Sequence, residues 1–298
     1  MAAVIFRLAH LTDPHVGPLP RPRRRDLIGK RVTGYLNWTG GRSRVHDMTT
    51  LGHIVADVKS QGPSHIAMTG DIANIGLPAE FQVARRWLET LGPAEDVSFV
   101  PGNHDAYVRG SLPDLARVFA PWTGGETETG GRFPYLRVRG NVALIGLSSA
   151  VPTPIFIASG RIGRRQMELG EKLLNECARR DLIRVVMLHH PPCSDAGNLA
   201  RGLADAREFE EMIARTGAEL ILHGHNHKTS VSYIEGPSRR APVVGAPSAS
   251  VARTASRHRA GYHLFEIAGS RRDYEIKASV RGLLPGSTTI GDLGSITL

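Results

Sequence analysis

The stretch LHGHNHK, residues 222–228, places three histidines at alternate positions: His223, His225 and His227. Imidazoles at that density suggest a metal site, although alternation by two also suits a strand with one polar face. Four more short stretches carry compatible donors: DPH (Asp13, His15), GD (Asp71), GNHD (Asn103, His104, Asp105) and HH (His189, His190). Mixed carboxylate and imidazole donors suit Zn, Mn, Fe or Co. The absence of thiolates among them argues against a structural zinc, which usually takes Cys. Asp13, His15, Asp71, Asn103, His189, His225 and His227 are too many ligands for one catalytic ion. They suit two ions sharing a carboxylate, a device for phosphoryl chemistry.

Singly, each donor has an ordinary explanation. Asp13 could cap a turn before Pro14, Asn103 could be a turn residue after Pro101 and Gly102, and His189 or His190 could simply end a strand. Their positions on the predicted elements change the weighting. VIFRLAHL (4–11), SHIAMTG (64–70), DVSFV (96–100), LIRVVMLHH (182–190) and AELILHG (218–224) read as strands. Helical spacing covers 48–60 behind the cap residue Asp47, 78–91 behind Pro78, 164–181 and 204–216. Such alternation predicts parallel strands joined by crossover helices. Residues 135–140 and 142–149 read as a hairpin, GGETETGG (124–131) as a surface loop, and the segments after 228 mostly as strands. Every donor stretch ends or follows a strand, where open α/β sheets bind ligands.

At 298 residues and 41% hydrophobic, the chain can bury a sizeable core. No run approaches the length of a membrane-spanning helix. The opening MAAVIFRLAHLTDPHVG reads as a first strand rather than a signal peptide. Cys177 and Cys193 lack partners at metal spacing and form no framework; a buried Cys177, a loop Cys193 and a reducing cytoplasm are expected. The 37 Lys and Arg against 28 Asp and Glu give a net +9. That charge attracts phosphates, nucleic acids or anionic lipids without choosing among them.

In order, DPH, GD, GNHD, HHPP and GHNH resemble the five blocks of the calcineurin-like metallophosphoesterases, over residues 9–228. GDIANIGLPAEF is similar to the class III cyclic-nucleotide phosphodiesterases and their glycerophosphodiester-cleaving relatives. The resemblance implies an α/β fold: a four-layer αββα sandwich of two mixed β-sheets flanked by helices. It would span 1–270, with 271–298 as a peripheral tail. It implies two transition-metal ions, Mn, Fe or Zn. One would take Asp13, His15 and His227, the other Asn103, His189 and His225, with Asp71 bridging. A hydroxide between the ions would attack phosphorus. His104 would reach the phosphate and protonate the leaving oxygen, Asp105 would orient His104 or its loop, and Asn74 would fix the loop below Asp71. His190 and His223 fall outside the implied ligand set, and His10, His46, His53 and His65 read as structural. The implied activity is hydrolysis of a phosphodiester of cyclic-nucleotide or glycerophosphodiester type.

The segment 18–46 is the most unusual, with Arg21, Arg23, Arg24, Arg25, Lys30 and Arg31 against one acid, Asp26. It begins soon after His15, so it is expected at the rim of the centre, where insertions form lids and walls. Arg24, Arg25, Tyr35 and Trp38 are its candidate substrate contacts. A solvated basic loop is the plain alternative. A contact with an anionic membrane is another; it would suit a pyrophosphohydrolase of a nucleotide-lipid such as UDP-diacylglucosamine. A nuclease would use the basic lip to track a backbone, but no added nucleic-acid module is visible, so nucleic acid is not expected as a partner. A non-catalytic protein-binding scaffold would not need every ligand position filled. The expected partners are a phosphoester substrate, an anionic membrane surface and a second copy in a homodimer. The expected location is cytoplasmic, with peripheral contact at the inner membrane face.

Overall fold

Strand β1 (Phe6–Leu11) sends Phe6 and Leu8 toward one apolar layer and Ala9 and Leu11 toward another. That period of two is what lets one strand serve two cores. The structure, a computed structural model, describes residues 5–126, 133–194, 200–251 and 259–298. The rest of the GGETETGG loop beyond Glu126 lies outside the described residues.

In chain order the helices are α1 (Lys30–Asn37), α2 (Ser43–Val45), α3 (Met48–Ser60), α4 (Pro78–Leu91), α5 (Leu112–Val118), α6 (Ala120–Thr123), α7 (Arg164–Arg179) and α8 (Ala206–Thr216). The remaining strands are β2 (His65–Met68), β3 (Val97–Phe99), β4 (Tyr135–Arg139), β5 (Val142–Gly146), β6 (Ile183–Met187), β7 (Leu220–His223), β8 (Ser230–Ile234), β9 (Ala241–Gly245), β10 (Gly261–Ser270), β11 (Asp273–Leu283) and β12 (Ile290–Ile296). They form two six-stranded mixed sheets, β12-β11-β10-β1-β2-β3 and β4-β5-β6-β7-β9-β8. Leu8, Ala67, Val185, Leu222 and Phe265 fill the space between the sheets. Helices α3 and α4 pack Leu51, Ile54, Phe81 and Leu88 on the outer face of the first sheet. Helices α7 and α8 pack Leu174, Cys177, Phe209 and Ile213 on the second. The four-layer αββα arrangement is the one implied by the motifs.

Helix starts follow local chemistry. The Asp47 carboxylate accepts from the backbone N–H of Thr49 and Thr50, which caps α3. Pro78 opens α4, and buried Glu80 reaches back to accept from Asn74, Ile75 and Leu77 N–H at 2.7, 3.1 and 2.9 Å. Glu80 therefore also fixes the loop that follows β2.

Two segments differ from expectation. Residues 271–298 were expected to be a peripheral tail, yet the boundary at 270/271 falls in the turn of the β10–β11 hairpin. Registered pairs from Gly261↔Gly282 to Ser270↔Asp273 make β11 part of the sheet, with β12 beyond it at the edge. Asp57 on α3 ties this hairpin down, accepting from Arg281 at 2.8 and 2.9 Å and from the Tyr262 hydroxyl at 2.6 Å. The 18–46 segment is not a bare solvated loop. Leu19, Leu27 and Tyr35 pack on Ile75, Leu77 and Tyr107, and α1 is anchored by Arg31 to Gly76 O (2.6 Å) and by Lys30 to Thr153 Oγ1 (2.7 Å).

Candidate metal centre

Each ligand position sits just beyond a strand: Asp13 and His15 after β1, Asp71 after β2, Asn103 after β3, His189 after β6, and His225 and His227 after β7. The first sheet supplies three of these strand ends and the second sheet two. The loops lock by backbone bonds, Asp13 N–H to Gly70 O (3.0 Å) and His15 N–H to Asp71 O (3.1 Å). Asp13, His15, Asp71, His225 and His227 have positive φ, from 41° to 69°. Such strain is held where surrounding structure over-determines the backbone, typically at functional sites. Gly102 shows how tight the packing is, because a Cβ there would collide with the Asp71 carboxylate.

Two donor sets result. Asp13 Oδ1 lies 3.1 Å from His227 Nε2 and 4.0 Å from His15 Nε2. On the other side, His189 Nε2 lies 3.3 Å from both Asn103 Oδ1 and His225 Nδ1. Asp71 Oδ2 stands between them, 3.9 Å from His15 Nε2 and 3.4 Å from His189 Nε2. His15 donates its Nδ1–H to Ala73 O (3.3 Å) and His189 to Thr69 O (2.7 Å). Those bonds fix the tautomer and leave each Nε2 lone pair facing the cluster, as metal-bound histidines require.

The electrostatics favour a cation there. Burial would raise Asp71, but His189, His104 and His15 outweigh it and hold the carboxyl well below its usual range. Asp13 is brought down to about 2, against its burial, chiefly by His227. Burial disfavours charge on His189, yet Asp71 raises it to about 9. Asn103 Oδ1 and His225 Nδ1 both converge on His189 Nε2 at 3.3 Å, where a metal ion or a proton on His189 can satisfy them. The residues present thus fit two metal ions.

His223 stands outside this set, whereas His190 offers a ring nitrogen within 4.8 Å of ligand atoms of His189 and His225, and its buried Nε2 has no hydrogen-bond partner among the described residues. His190 is buried with Nδ1 on Ser149 Oγ (2.8 Å), and His223 ends β7 with Nδ1 on Gly224 O (3.0 Å). His104 donates through Nδ1 to Asn74 O at 2.5 Å, and its Nε2 faces the cleft. Burial, then the charge of Arg42, pushes it down to about 4. Asp105 does not touch His104. Fully buried, it accepts from Asp71, Gly102, Ile72 and Ala73 N–H at 2.8 to 3.0 Å, and so shapes the loop carrying Asp71. Asn74 also donates through Nδ2 to Val16 O (3.0 Å).

The substrate residues expected from the 18–46 segment fall elsewhere. Arg24 and Arg25 are exposed on a short 3₁₀ turn and do not line the cleft. Tyr35 and Trp38 line a neighbouring cavity of about 570 Å³. Trp38 is buried there, stacked on His46 at 6.3 Å and 7°. The cleft over the donors holds about 450 Å³ and is walled by Asn37, Arg42, His46 and Arg201 together with Asp71, Asn103, His225 and His227. His46, expected to be purely structural, lines it and packs 4.5 Å from the His15 ring. Arg42 donates at 2.9 Å to Nε2 of both His15 and His104. Only its place in a basic segment near His15 hinted at that role.

Known proteins are similar to this chain in sequence and in fold. The profile of calcineurin-like phosphoesterases matches residues 6–229. A probable cyclic nucleotide phosphodiesterase of Synechococcus sp. is 30% identical over 192 residues, 61% of this chain and 64% of its own length. The chain thus spans a little under two thirds of that relative. A glycerophosphodiester phosphodiesterase of Enterobacter lignolyticus is 23% identical over 237 residues, 76% of this chain and 72% of its length. Among solved structures, a dimetal phosphatase from Danio rerio shares the fold at a TM-score of 0.59 and 12% identity, covering 91% of this chain and 98% of that one. With its profile matched over about three quarters of its length, the chain belongs to the calcineurin-like phosphoesterase family.

Proposed function

We propose that the protein is a two-metal phosphodiesterase acting on a small diester of the cyclic-nucleotide or glycerophosphodiester kind. The observation that carries this is Asp71 Oδ2 placed between two convergent donor sets, with the His104 imidazole beside them. Asp13, His15 and His227 would hold one ion and Asn103, His189 and His225 the other, Mn, Fe or Zn. Such ions supply Lewis acidity at the phosphoryl oxygens and acidify a water. The chain's own residues do the rest. Asn74 O orients His104 so that Nε2 faces the cleft. A phosphate beside that imidazole favours its protonated form, opposing the burial and the Arg42 charge that push it down. His104 can then deliver a proton to the leaving oxygen. Asp105 holds the Asp71 loop still, and the 18–46 segment walls the cleft. The two curated relatives, one a probable cyclic nucleotide phosphodiesterase and one a glycerophosphodiester phosphodiesterase, support the diester.

A lipid-linked diphosphate is the second reading. Ile28, Leu36 and Phe156 are 71%, 62% and 92% exposed, and the first two belong to the arginine-rich segment. One experiment separates the readings: the protein loaded with Mn or Zn, then offered bis(p-nitrophenyl) phosphate, p-nitrophenyl phosphate, cyclic nucleotides, a glycerophosphodiester, a nucleotide-lipid diphosphate and single-stranded DNA. Diesters should turn over fastest. Turnover of the lipid diphosphate alone would replace the first reading with the second, and no turnover of any phosphoester with two ions bound would sink both.

A further inference from the structure

Arg42 breaks the charge pattern of its surroundings. Its guanidinium donates to two imidazoles, and no described carboxylate lies within ion-pair distance of it. It is half-buried in the wall of the cleft. Across the cleft stands a second cation, Arg201. Filling the metal centre sharpens the conflict. The His15 Nε2 lone pair serves either an ion or an Arg42 N–H, not both. The carboxylates of Asp13 and Asp71, which now offset the guanidinium, would belong to the ions. A cation displaced from His15 needs an anion in the space above the donors. A phosphoryl group offers two oxygens that match the planar guanidinium fork.

We propose that Arg42 is the phosphate clamp of this centre, leaving the two imidazoles to pair with the non-bridging oxygens of the substrate on the side facing His104. This deepens the phosphodiesterase reading and rests on it. The framework for the clamp is rigid. Lys30 and Arg31 pin α1 to Ile157 O, Thr153, Ile75 O, Gly76 O and Ser111. Trp38, buried against His46, pins the turn that ends in Arg42. The clamp also explains the position of the 18–46 segment: its exposed arginines are dispensable for the chemistry, and one inward arginine is not.

The test compares the full-length, metal-loaded protein with R42A and R42K, using inorganic phosphate as the probe. R42A should keep two ions per chain by elemental analysis. It should bind phosphate roughly 10- to 100-fold more weakly by calorimetry, the span expected for a charge-assisted pair. It should lose a similar factor in kcat/KM on bis(p-nitrophenyl) phosphate. R42K should recover part of both, because lysine restores the charge without the fork. The metal-stripped R42A should take up its first ion at least as tightly as wild type, since nothing competes for His15; a merely structural Arg42 would weaken that uptake. Phosphate affinity in R42A within about twofold of wild type, or loss of an ion from R42A, overturns the clamp. Failure of the wild-type protein to hydrolyse any diester would instead strike the reading beneath it.

Discussion

The donor shell and the 18–46 segment lie within 3 Å of each other at Arg42 and His15, yet they are held in different ways. The shell is fixed by backbone. Asp105 gathers four N–H groups, Gly70 and Asp71 carbonyls accept from Asp13 and His15, and Asp13 Oδ2 accepts from His225 N–H at 3.0 Å. The segment is fixed by side chains: the Lys30 and Arg31 bonds, the Trp38–His46 stack and the small cluster around Tyr107. Backbone locks tolerate little variation, because moving one loop moves every donor. Side-chain anchors can be exchanged one at a time. On the proposed function, the difference would put the reaction chemistry in the shell and substrate choice in the segment.

Asp71→Ala is the strongest way to break that division. It removes the oxygen both donor sets share, so metal content should fall below one ion per chain by elemental analysis. Diester hydrolysis should drop by at least about 1,000-fold, beyond the 10- to 100-fold typical of a residue that only supports a ligand. Two ions retained by Asp71→Ala would mean that the sets are independent. His104→Ala comes next and sits at the junction. Both ions should stay. The rate on an alkyl diester should fall about 100- to 10,000-fold, the range for a lost general acid. The loss should be smaller for a p-nitrophenyl ester, whose leaving group needs no proton. Equal rates on both esters would remove His104 from proton delivery.

The same contrast governs what was legible in the sequence. Asp13, Asp71, Asn103, His189 and His225 could be found because each follows an apolar strand and its side-chain type is dictated by coordination chemistry. Asp105 could be found but its task could not: adjacency to His104 and support of the Asp71 loop look alike in one dimension, and four N–H contacts decide for the loop. Arg42 was hidden among many arginines, because which of them turns inward depends on how α1 docks, not on local pattern. Arg24 and Arg25, equally basic, face solvent. The 271–298 segment was underestimated for a related reason. The edge strand β12 buries no side chain fully, and its GDLGSI carries two glycines, so neither apolar run nor alternation marks it strongly.

Gly34→Ala probes the joint between the two regions most gently. Gly34 lies on α1, and a Cβ there would come 2.7 Å from Ile75 Cγ2 and closer still to the Tyr107 hydroxyl. The Tyr107 ring stacks on His104 at 5.6 Å and 22°, so pressure on Tyr107 is passed to the imidazole. Two effects oppose. Alanine favours a helix over glycine by about 1 kcal/mol, while overpacking costs about 1–3 kcal/mol. The net should be a loss of roughly 0–2 kcal/mol in chemical unfolding. The functional effect should exceed what that small loss suggests. Ion content should stay at two, and kcat/KM on a diester should fall roughly 3- to 10-fold, since sub-ångström displacement of a proton donor is costly. A Gly34→Ala protein that is more stable and fully active would show that pressure from α1 on Tyr107 is not passed to His104.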